Sequence, residues 1–74
     1  MDRAAIVTIE PDVLGGTPVF AGTRVPVQTL IEYLEGGERL DDFLVDFPTV
    51  AREQAVAALE IALRSLIEHA HPSR

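Results

Sequence analysis

The chain has 74 residues with no cysteine, and 47% of them are apolar. That length holds one domain, the missing thiols exclude disulfides, thiolate metal sites and a thiol nucleophile, and the apolar content is above that of a disordered chain. Acidic residues outnumber basic ones 12 to 6, every basic residue is arginine and the net charge is −6, so an isolated copy is expected to bind nucleic acid poorly.

From the N-terminus, Ala5-Ile6-Val7-Thr8-Ile9 is β-branched and ends at Glu10-Pro11-Asp12, which predicts a strand. Gly15-Gly16 marks a turn, and Thr17-Pro18-Val19-Phe20 predicts a second strand closing a hairpin over about 5–20. Gly22 pivots the chain and Pro26 pre-sets a helix start. Val27, Leu30, Ile31 and Leu34 then form one apolar stripe of a helix over about 26–35, stopped by Gly36-Gly37. Leu40, Phe43, Leu44 and Phe47 repeat the spacing in a second helix over about 40–47, which Pro48 closes. Residues 51–70 lack glycine and proline and predict a long third helix, followed by a disordered tail at 71–74. Its stripe of Ala55, Val56, Leu59, Ala62, Leu63, Leu66 and Ile67 is wider than a two-helix scaffold needs, and Ile61 is expected on the other side as an exposed edge.

The fold class expected is mainly α: a homeodomain-like three-helix, helix-turn-helix core with a short N-terminal β-hairpin, all of 1–74 forming a single domain. A two-strand hairpin and an over-wide third helix both ask for cover, so a homodimer is expected. The N-terminus lacks a signal-peptide pattern and no apolar run reaches the roughly 18 residues of a membrane span, so a cytoplasmic protein without membrane contact is expected.

No residue set points to catalysis, a cofactor or a metal. The glycines at 15, 16 and 22 lack the lysine of a phosphate loop. Asp41, Asp42 and Asp46 read as a solvated face, and His69 and His71 have poor spacing for helical metal binding. Ser65 and Ser73 have no triad around them, so the chain reads as a non-enzyme. In a helix-turn-helix the first residues of the third helix meet the major groove, which makes Arg52 and Gln54 the DNA-contact candidates, with Glu53 beside them repelling phosphate.

Ile9-Glu10-Pro11, the run from Gly15 through Gly-Thr-Pro-Val-Phe-Ala-Gly-Thr-Arg-Val-Pro-Val to Val27, Gly36-Gly37-Glu38 and Leu40 to Phe47-Pro48 resemble domain-of-unknown-function family 433 over residues 6–68. Arg39-Leu40 and Val50-Ala51-Arg52-Glu53 depart from the Ser or Thr starts expected of the second and third helices. The resemblance implies a homeodomain-like fold and an antitoxin whose toxin is a PIN-like ribonuclease. The leading expectation is therefore neutralisation of that ribonuclease by occlusion, with operator DNA bound by the complex in autoregulation. The alternative is a stand-alone helix-turn-helix transcriptional regulator, and a third reading is an adaptor with neither role. Partner contacts are expected at Arg24, the one charge inside the apolar signature, and at Ile61 and Arg64 on the third helix.

Overall fold

A computed structural model describes residues 6–73. Among them β1 (Val7–Thr8) pairs antiparallel with β2 (Val19–Phe20) in the register Val7 to Phe20 and Thr8 to Val19. Three helices follow: α1 (Val27–Glu35), α2 (Leu40–Asp46) and α3 (Arg52–His69). The architecture is mainly helical with a short hairpin at the N-terminus, as the pattern predicts. The pairing is shorter than predicted, and Ala5, where the predicted strand begins, lies outside the described residues, as does Arg74. No helix among the described residues is long and apolar enough to cross a membrane.

The hairpin is short because its connection is long. Pro11 cannot donate to a ladder, and Leu14, Gly15 and Gly16 form a 3-10 turn in which all three have positive φ, 49°, 66° and 88°. A second turn folds the signature back on itself at Gly22, whose φ of +77° a side-chain-bearing residue adopts only under strain. Thr23 locks that turn: its hydroxyl donates to the Phe20 carbonyl (2.8 Å) and accepts from the Val25 N–H (3.0 Å). Val19 consequently bridges Pro26, and the apolar signature lies across the helices as a three-pass strap.

The core is small and aromatic. Ile6, Phe20, Leu30, Phe43, Val50, Ala55 and Ala58 are buried together. Phe43 sits at the centre, its ring 5.9 Å from Phe20, 5.5 Å from Tyr33 and 5.1 Å from Phe47 between centroids, within the range of favourable aromatic pairs. The α1 stripe is rotated from the predicted one. Leu30 is buried and Val27 half-buried, but Ile31 and Leu34 lie exposed at the rim while Tyr33 turns onto the core. Its ring meets Phe43 and Phe47 edge-on, and its hydroxyl donates to Asp46 Oδ2 at 2.6 Å, which ties α1 to the end of α2. That hydrogen bond, then desolvation and the negative charges of Asp46, Glu38 and Asp42, raise the Tyr33 pKa above its ordinary value.

The helix starts that lack Ser or Thr are capped from within. Asp42 Oδ2 accepts from the Arg39 N–H (2.8 Å), and Gln54 Oε1 accepts from the Ala51 N–H (3.2 Å). Each is the returning half of a capping box, made by the third helical residue alone.

Candidate functional site

Two helices joined by a tight turn would offer DNA the start of α3, and the structure places both predicted contact residues there in other roles. Gln54 is buried. Its Nε2 donates to the Ala21 carbonyl at 3.0 Å and to the Ile6 carbonyl at 3.5 Å, while its Oε1 caps α3. One side-chain amide thus joins the helix start to the hairpin, and it presents nothing to a base edge, which corrects the reading of Gln54 as an adenine contact. The missed signal was a Gln at the third helical position behind a capless Ala51.

Arg52 is exposed, and its guanidinium is ion-paired with Asp41 of α2. The hydrogen bond from Arg52 and then its charge hold the Asp41 carboxyl below the ordinary carboxylate value, partly offset by desolvation, with Arg39 adding to the lowering. A depressed folded-state pKa stabilises the fold above the ordinary carboxylate value, and that contribution is lost as pH falls through the folded value. Arg52→Ala should therefore raise the Asp41 midpoint in a carboxyl-carbon NMR titration; an unmoved midpoint would show that the pair does not form in solution.

The described arginines divide into two kinds. Arg39 pairs with Asp42 (3.7 Å) and Arg52 with Asp41, whereas Arg24 and Arg64 are exposed and make no ion pair among the described residues. Arg24 rides the Gly22-Thr23 turn and borders an open cleft of about 550 Å³ with Thr8, Glu10, Val25 and Thr49. Arg64 stands on the outer surface of α3.

Ile61 is not the exposed edge expected of it. It is half-buried against the core and forms one wall of an apolar groove of about 360 Å³ between the hairpin and α3, with Val7, Pro18, Val27, Ala58, Ala62 and Ser65. The reversal has a simple cause: Ala55 and Ala58 are small enough to let the hairpin and the aromatic cluster close on α3, so the alanine side of the helix faces inward. Leu63 and Leu66 are left outside, while Leu59 is half-buried against the core. Core contact ends at Ile61, and every residue from 62 to 69 is exposed. Among the described residues, no cluster of three or more His, Cys, Asp or Glu is positioned to hold a metal ion; His69 instead uses Nδ1 to meet the Ser65 carbonyl at 2.8 Å.

The same surface can be set beside known proteins. Residues 7–62 match the family described as "Protein of unknown function (DUF433)". "Uncharacterized protein y4eO" of Sinorhizobium fredii (strain NBRC 101917 / NGR234) is 39% identical over 69 residues, 93% of this chain but 28% of that protein. The crystal structure of a DUF433 member protein from Anabaena variabilis ATCC 29413 aligns with a TM-score of 0.72 at 28% identity, covering 86% of this chain and 63% of that one. The chain thus spans less than two thirds of either protein.

Proposed function

Since the chain belongs to the DUF433 family of proteins of unknown function, we propose that it works by contact and not by catalysis, as a cytoplasmic antitoxin that covers the RNA-binding surface of a PIN-like ribonuclease. The observation that carries this reading is the open apolar groove beside Ile61. Apolar clefts with few polar groups take side chains of a partner. The net charge of −6 suits a basic RNA-binding surface and speeds encounter with it. Arg24 and Arg64, exposed and with no ion pair among the described residues, are available for ionic contacts with a partner.

Read as a helix-turn-helix, α2 and α3 keep operator DNA as a ligand of the complex in this proposal, with positive charge supplied by the ribonuclease. A stand-alone regulator is the weaker reading. One of its two base-reading residues is buried and the other is paired with Asp41.

The test is RNA cleavage by the nuclease encoded beside this gene. An equimolar amount of the wild-type chain should suppress cleavage, and Ala62→Asp, which puts a charge at the exposed wall of the groove, should weaken inhibition at least about tenfold. A nuclease that cleaves at full rate in excess wild-type chain would defeat the proposal.

A further inference from the structure

The side of α3 turned away from the core carries a second apolar face. Val56, Leu63, Leu66 and Ile67 share this side, with Leu59 at its edge half-buried against the core. At about 100° per residue this side lies opposite Gln54, Ala58 and Ile61, which point inward. Val56 is 38% exposed, Leu63 56%, Ile67 64% and Leu66 71%, and no described element of the fold covers the last three. A helix apolar on opposite sides is a helix meant to be covered on both.

We propose that this face is the interface with a second copy of the chain, the two α3 helices packing antiparallel through Leu63, Leu66 and Ile67. Four observations commit it to that occupant. The exposed Leu63, Leu66 and Ile67 form one narrow strip on a straight helix, a shape that fits another helix of the same kind, and an isologous two-fold contact needs only one such surface. Each copy carries a charge of −6, yet the seam itself is free of carboxylates, with Glu60 only at its edge, so two copies meet there without opposing their acids. Because the uncovered residues lie in the half of α3 beyond the core, antiparallel pairing sets the two bodies at opposite ends and lays the helix dipoles side by side in opposite directions. Two copies of the strip bury on the order of 1,000 Å², the lower end of specific interfaces, so the dimer forms reversibly at micromolar concentration.

The groove beside Ile61 lies on the other side of α3 and stays open in the dimer, so two tests separate this inference from the nuclease reading. Sedimentation equilibrium of the intact chain should give a species of twice 8.1 kDa. Leu66→Glu should weaken self-association at least about tenfold with unchanged helical circular dichroism, since the side chain is outside the core, and should still inhibit the nuclease. Ala62→Asp should lose inhibition and remain dimeric. A wild-type chain that sediments as a monomer throughout the micromolar range, or Leu66→Glu and Leu63→Glu variants that stay dimeric, would overturn the inference. Rapid disulfide cross-linking of an Ala70→Cys variant would overturn the antiparallel direction, because the two C-terminal ends then lie side by side.

Discussion

Phe43→Ala should unfold the protein. Truncation of a buried phenylalanine removes about 3–5 kcal/mol, and a core in a chain of this length supplies about the same amount in total. Phe43 is fully buried, and its ring meets those of Phe20, Tyr33 and Phe47, so the loss leaves a cavity at the junction of the hairpin, α1 and α2. Thermal or urea unfolding followed by far-UV circular dichroism reads the effect directly. A variant within about 1 kcal/mol of the wild type would mean that the packing around Phe43 is loose.

Gln54→Glu is expected to have the next largest effect, with a pH dependence of a definite sign. The carboxylate keeps an oxygen for the Ala51 N–H but loses the donor that serves the Ala21 and Ile6 carbonyls, and so places negative charge against two carbonyl oxygens in a buried site. Removing one partner of a buried hydrogen bond costs about 1–3 kcal/mol, and more when a charge is left behind. Burial and the facing carbonyls raise the pKa of the new carboxyl in the folded state. The variant is therefore closest to wild-type stability below the ordinary glutamate pKa, where the protonated carboxyl restores a donor, and stability is lost as pH rises through the raised folded value. Gln54→Leu isolates the neutral part: it should lose about 1–3 kcal/mol at every pH. A Gln54→Glu variant as stable at neutral pH as in acid would show that the amide does not bridge the helix and the hairpin.

The helices were legible because each is bounded by its own chemistry. Pro26 and Gly36-Gly37 bracket α1, Pro48 ends α2, and an uninterrupted run of Ala, Leu, Glu and Arg makes α3. What the pattern does not reveal is which side of a helix turns inward when more than one side is apolar. In α3 the two alanines, Ala55 and Ala58, are buried in the core while Leu63 and Leu66 are exposed, since small side chains let the packed neighbours come close. In α1 the Tyr33 ring packs on Phe43 and Phe47 and its hydroxyl meets Asp46, contacts distant in sequence that no local period encodes. Gln54 was misassigned for the same reason: its partners, Ala21 and Ile6, are distant in sequence, and a polar residue at a helix start reads as a solvent-facing reader until the chain that folds over it is known. One clue was available throughout. A helix of 18 residues beside helices of 9 and 7 must overhang them.

That overhang makes the far end of α3 the least expensive part of the molecule to open. From residue 62 onward its turns rest on their own backbone hydrogen bonds, without tertiary cover, and a helical segment so short is marginal in water when nothing packs on it. Whatever seats itself there therefore stiffens backbone as well as hiding apolar surface. The enthalpy and heat-capacity changes of assembly will accordingly exceed those of two rigid bodies meeting, with a compensating entropic loss.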